Sequence, residues 1–80
     1  MYYDSYMNKI DKQILTAREY EVLKLIAEGL NNHQIADVLV ISIHTVKAHV
    51  ESIYRKFNVH NKVQTVIYAF FNNYLDINDY

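Results

Sequence analysis

Gln34-Ile35-Ala36-Asp37-Val38-Leu39-Val40-Ile41-Ser42-Ile43-His44-Thr45-Val46-Lys47 decides the fold, because the end of one helix, a tight turn and the start of the next all fit inside it. Ile35, Ala36 and Leu39 share one helical face, and Val46 opens the apolar face of the following helix. Only Val40, Ile41 and Ser42 separate the two. That is the length of the turn in a helix-turn-helix. Ala36 is small enough in mid-helix to let the second helix cross closely, while Ile35, Leu39, Ile41 and Val46 clamp the pair from inside. Many helix pairs without a nucleic-acid role share such turns, so the residue chemistry outside the core must decide between them.

Working outward, each helix has its own start signal. Asn31 with Gln34 precedes the quoted stretch, and Thr16 with Glu19 opens a helix from Ala17 to about Glu28. In both pairs the first side chain accepts a free backbone N–H, while the second reaches back to the N–H of the cap residue. Val22, Leu25 and Ile26 fall on one face of this first helix, and Gly29 suits the left-handed residue that ends many helices. Ser42 with Thr45 caps the third helix, in which Val46, Val50, Ile53 and Phe57 follow in steps of four, three and four. Asn61 with Gln64 opens the fourth, where Val63, Val66, Ile67 and Phe70 form the expected apolar face. One glycine and no proline argue against a turn-rich β protein. The expected fold is all-α, a four-helix bundle-like domain with a central helix-turn-helix. It would run from residue 15 to 71, between an N-terminal arm or short helix over 1–14 and an acidic, aromatic tail over 72–80.

Composition narrows the function. Eighty residues allow one domain with a modest core, which argues against a catalytic cleft. Half the residues are apolar and about a fifth charged, a globular balance. No apolar run reaches the roughly 20 residues of a membrane span, and no basic start with an apolar stretch marks a signal peptide, so a cytoplasmic protein is expected. Without cysteine there is neither a disulfide nor a thiolate metal site. No two of His44, His49 and His60 are spaced i, i+4, and no carboxylate cluster completes a ligand set, so no metal or other cofactor is expected. No serine lies in a glycine-rich elbow, and no enzyme is expected.

The net charge of −1 conceals an asymmetry. From Ser42 to Lys62, Lys47, Arg55, Lys56 and Lys62 stand against Glu51 alone, giving plus three and leaving minus four for the rest of the chain. A basic stripe on an acidic body suits nucleic acid, although a solvated face would also be charged. Outside the core stripe, the third helix offers Ile43, His44, Thr45, Lys47, Ala48, Glu51, Ser52, Arg55 and Lys56. Thr45 and Lys47 lie in its first turns, where free N–H groups and the helix dipole favour phosphate and where base edges are usually reached. Lys47 has the chemistry for guanine O6 or N7, Ala48 for a thymine methyl and Glu51 for cytosine N4, though Glu51 also repels phosphate. Arg55, Lys56 and Lys62 are better placed for the DNA backbone.

Leu15-Thr16-Ala17-Arg18-Glu19, Val22-Leu23, Ala27-Glu28-Gly29-Leu30, Ile35-Ala36, Ser42, Thr45-Val46-Lys47 and His49-Val50 together resemble the LuxR/GerE/NarL helix-turn-helix domain. The likeness continues through Ile53, Lys56 and Asn58-Val59 to Ala69 and covers roughly Leu15 to Phe71. Val66-Ile67-Tyr68-Ala69-Phe70 is similar to the effector domains of LiaR/VraR-type response regulators. The resemblance implies a transcriptional regulator that binds double-stranded DNA as a homodimer, with helix four forming much of the subunit contact. By motif position it implies DNA contacts at Thr45, Lys47 and Lys56 and phosphate contacts at Asn32 and Lys62. Three residues depart from the pattern: Glu51 stands where some relatives have a base-contacting lysine, Asn31 replaces a frequent serine cap and Lys62 a frequent arginine. Only 14 residues precede Leu15, and with Met1 this favours a stand-alone GerE-like regulator over an excised effector domain. Eight of the eleven aromatic residues lie near the ends. Tyr68, Phe71 and Tyr74 are therefore expected at a dimer contact, with the alternative that an arm carrying Tyr6, Ile10 and Ile14 covers helix four within one chain. The rival function is a protein-binding module or anti-regulator, in which the scaffold and aromatic ends grip another transcription protein.

Overall fold

A computed structural model describes residues 14–80 as four α-helices followed by one 3-10 turn. The helices are α1 (Ala17–Ala27), α2 (Asn32–Leu39), α3 (Ile43–Phe57) and α4 (Lys62–Phe71), and the turn covers Ile77–Asp79. There is no strand among the described residues. Of the expected arm, Tyr6 and Ile10 lie outside the described residues, and Ile14 is exposed.

The caps do what their side chains can do. Thr16 Oγ1 accepts from the Glu19 N–H and Glu19 Oε1 from the Thr16 N–H, at 3.1 and 2.9 Å. Asn31 and Gln34 exchange the same pair at 2.9 and 2.8 Å. Ser42 Oγ accepts from the Thr45 N–H at 3.1 Å and lies 3.0 Å from the Thr45 hydroxyl. At α4 the exchange is incomplete. Asn61 Oδ1 accepts from the Gln64 N–H, but Gln64 Oε1 takes the His60 N–H, one residue before the cap, at 2.8 Å.

Each helix also ends in the same way. A residue with positive φ follows α1, α2, α3 and α4, at Gly29 (92°), Val40 (56°), Asn58 (56°) and Asn73 (64°). The next N–H then bonds back to the carbonyl five residues earlier, from Leu30 to Leu25, Ile41 to Ala36, Val59 to Tyr54 and Tyr74 to Ala69. Glycine and asparagine tolerate this backbone. Val40 does not, because its branched Cβ crowds the carbonyl, so the helix-turn-helix elbow holds a strained residue.

The core lies where α3 crosses the other helices. Val22, Leu23 and Ile26 of α1, Ile35 of α2, Val46, Val50, Ile53 and Phe57 of α3, Ala69 of α4 and Leu75 beyond it are buried. Leu39, Ile41 and Ala36 pack against this cluster, so the expected clamp around the turn is present. Two expectations change. On α1 the buried face is Glu19, Val22, Leu23 and Ile26, with Leu25 at its edge. On α4 it is Thr65 and Ala69, with Val66 and Phe70 of the expected face packed at its edge, while Val63 and Ile67 point to solvent. Small side chains let α4 approach closely, and the Thr65 hydroxyl is satisfied by the Asn61 carbonyl at 2.7 Å. The acidic, aromatic tail also belongs partly to the core. Leu75 is buried, Tyr74 packs on Phe57 at 4.8 Å between ring centroids, and Tyr80 meets Phe70 edge-on at 5.7 Å.

Candidate nucleic-acid interface

The 3.6-residue period places His44, Lys47, Ala48, Glu51 and Arg55 on one side of α3, opposite the stripe of Val46, Val50, Ile53 and Phe57. All five are exposed. Thr45 is exposed on the flank of this face, with its hydroxyl engaged by Ser42 as the cap formed. The result is a 15-residue helix held from one side only. Its outer side has one lysine, one arginine, one histidine and one glutamate with no ion pair among the described residues. A side chain that donates or accepts on this surface must find its partner outside the domain.

Asn32 and Lys62 come together. Lys62 Nζ donates to Asn32 Oδ1 at 2.8 Å, tying the first turn of α2 to the first turn of α4. One ammonium thus bridges toward the N-terminus of a second helix, and helix N-termini and ammonium groups both attract phosphate.

Lys56 is placed differently from the other candidates. It is half-buried, and its ammonium pairs with Glu19 Oε1 at 2.7 Å and donates to the Ile14 carbonyl at 3.0 Å. The Ser52 hydroxyl donates to the other Glu19 oxygen. Burial of Glu19 would raise its pKa, but the hydrogen bonds from Lys56, Ser52 and the Thr16 N–H, with the charge of Lys56, outweigh this and hold it at about 2 instead of 4.5. Sequence reasoning treated Glu19 only as a cap partner. A signal was available: Glu19 stands three and four residues before Val22 and Leu23, so it shares their inward face and needs a second partner there.

The aromatic residues expected at a dimer contact divide. Tyr68 stacks on Phe57 at 4.4 Å and Tyr74 leans on the same ring, so both are half-buried within the domain. Phe71 remains 83% exposed, with Val63 at 70% and Ile67 at 51% beside it on the outer side of α4. His44, His49 and His60 belong to no group of three or more potential metal ligands among the described residues. No described helix is long and apolar enough to cross a membrane.

Two short-turned helices, the second presenting an unpaired polar face, define a helix-turn-helix domain. Residues 13–69 match the family model of bacterial regulatory proteins of the luxR family, also called GerE. The chain belongs to that family, whose members are DNA-binding regulators. It is 49% identical over 61 residues to the response regulator protein VraR of Staphylococcus aureus (strain Mu3 / ATCC 700698), and equally to VraR of Staphylococcus epidermidis (strain ATCC 35984 / DSM 28319 / BCRC 17069 / CCUG 31568 / BM 3577 / RP62A). In both cases 76% of this chain aligns with 29% of the relative, so the chain spans less than a third of the length of these curated relatives. Among solved structures, the response regulator ChrA of a heme-sensing two-component system superposes with a TM-score of 0.76 at 39% identity, over 78% of this chain and 31% of that one.

Proposed function

We propose that this domain is a sequence-specific transcriptional regulator of the cytoplasm that binds double-stranded DNA as a homodimer, with α3 in the major groove. The observation that carries the reading is the outward face of α3, where Lys47 and Ala48 stand exposed in the N-terminal half, and Glu51, just past the midpoint, and Arg55 in the C-terminal half. Lys47 and Glu51 have opposite hydrogen-bonding roles, donor and acceptor, and together suit a guanine and a cytosine edge. Thr45 and His44 flank them toward the nearer strand. Asn32 and Lys62 hold a phosphate from the ends of α2 and α4, fixing the register that the base contacts need.

The subunit contact falls to Val63, Ile67 and Phe71, the exposed apolar side of α4. Of the three aromatic residues expected there, Phe71 is the most exposed, whereas Tyr68 and Tyr74 are half-buried against Phe57 and offer only their outer edges. Two copies joined in this way would present two α3 helices to successive half-sites. The same apolar face would also serve a protein-binding module that grips the transcription machinery, and this second reading is the one to separate.

Selection of bound duplexes from a random DNA pool, followed by titration of the selected site at several salt concentrations, tests the reading. A DNA-binding regulator enriches a defined motif, and its affinity falls as salt rises because neutralised phosphates release counterions. A protein-binding module enriches none.

A further inference from the structure

Glu19 is 5% exposed, and both of its carboxylate oxygens are occupied. Oε1 accepts from the Thr16 N–H and from Lys56 Nζ, and Oε2 accepts from the Ser52 hydroxyl. Lys56 extends the network by donating to the Ile14 carbonyl. Ser52 and Lys56 lie one turn apart on the flank of α3, between its buried stripe and its outward face. Among the described residues they tie α1 with its cap to α3 through polar contacts.

We propose that Glu19 and Lys56 form a positioning latch, which sets the angle of α3 against α1 and thereby governs DNA affinity without Glu19 touching DNA. The proposal rests on the DNA-binding reading of α3 and goes beyond it by taking Lys56 out of the DNA contact.

The remaining α1–α3 contact is apolar, and apolar contact is non-directional, so it permits one helix to roll on the other. Directional charge-assisted bonds do not permit this. Leverage makes the difference matter. At 1.5 Å per residue, the nine residues between Lys47 and Lys56 span roughly 14 Å, so a tilt of about 5° at the latched end displaces Lys47 by about 1 Å. That displacement is enough to spoil a hydrogen bond to a base edge. Because the Ile14 carbonyl shares the ammonium, the path of the chain just before α1 is coupled to the same helix.

The test compares the unmodified 80-residue chain with Glu19→Gln, Lys56→Met, Ser52→Ala and the Glu19→Gln/Lys56→Met double variant. Glutamine keeps the capping interaction with Thr16 and methionine keeps most of the lysine stem, so each removes mainly the charge. Circular dichroism first establishes that each variant is folded at the working temperature. Affinity is then measured on the selected duplex and on a scrambled one, across salt. The latch predicts a loss of about tenfold on the selected duplex for Glu19→Gln and for Lys56→Met. The scrambled duplex and the salt slope stay unchanged, and the double variant is no worse than either single one. Ser52→Ala, which leaves the ion pair in place, gives a smaller loss of the same kind and serves if the charge variants do not fold.

Two results overturn the proposal. If Lys56→Met weakens both duplexes equally and lowers the salt slope by about one, while Glu19→Gln binds normally, Lys56 is a phosphate contact. If every variant matches a wild type that prefers the selected duplex, the latch has no positioning role and the DNA-binding reading stands alone. A wild type with no preference among duplexes removes that reading and the latch together.

Discussion

Helices α3 and α4 start from the same kind of cap, end in the same left-handed turn and differ in what they show to solvent. The outer side of α3 is polar and basic, whereas the outer side of α4 carries Val63, Ile67 and Phe71. An amphipathic helix announces its inward face, because only one side can be buried without stranding charge. A helix that is apolar on several sides does not. For α3 the expected core stripe is the observed one, while on α4 only Val66 and Phe70 of the expected face pack on the core, at the edge of a buried face formed by Thr65 and Ala69.

The contrast is broken most severely from the buried side. Ile53→Ala empties a fully buried position on α3 and should cost about 2 to 5 kcal/mol in urea denaturation. Ile67→Asp on α4 should leave the stability of the monomer nearly unchanged yet abolish self-association, read by light scattering at high concentration. A loss of stability as large as that of Ile53→Ala would mean that the exposed face of α4 is core after all.

Next in size is the acid limb of the stability curve. Glu19 has a folded-state pKa near 2 and an unfolded one near 4.5, so its contribution is complete above about pH 4.5 and disappears as pH falls toward 2. The shift corresponds to about 3 kcal/mol at most. Glu19→Gln should flatten this limb, and an acid limb unchanged by the substitution would show that the ion pair adds little.

Smaller effects sharpen the functional half of the comparison. Lys47→Ala on the face of α3 should cost about 1 to 3 kcal/mol of binding and relax preference at one base pair, as read by competition among single-base variants of the selected site. An equal loss on every sequence would assign Lys47 to phosphate instead. At the elbow that joins α2 to α3, Val40→Asn should stabilise the fold by about 1 kcal/mol, since asparagine tolerates the left-handed backbone that valine resists. A melting temperature lower than that of the wild type would indicate that Val40, although 88% exposed, makes contacts that outweigh its strain.

How much could be read in the chain varied with the range of the interaction. The four helices, their caps at Thr16, Asn31, Ser42 and Asn61, and the three-residue turn were legible because capping and periodicity act over three or four residues. The exposed candidates His44, Lys47, Ala48, Glu51 and Arg55 were legible for the same reason, being what the core stripe of α3 leaves over. Lys56 was not. Its position in the motif and its charge both suggest DNA, and the intramolecular partner it has in this structure, which no local pattern announces, lies 37 residues earlier. Tyr68 and Tyr74 were expected to meet another subunit, and the ring that holds them, Phe57, belongs to a different element.

The sequence by itself determined an all-helical domain with a helix-turn-helix and a basic third helix, since each of those properties is written in residues a turn or two apart. Only the tertiary structure decided that Glu19 is buried, that Lys56 pairs with it, that Leu75 completes the core and that Phe71 remains outside. Those outcomes depend on which surfaces meet when α1, α3 and α4 close together, and residue spacing along one helix carries no record of the neighbour's shape.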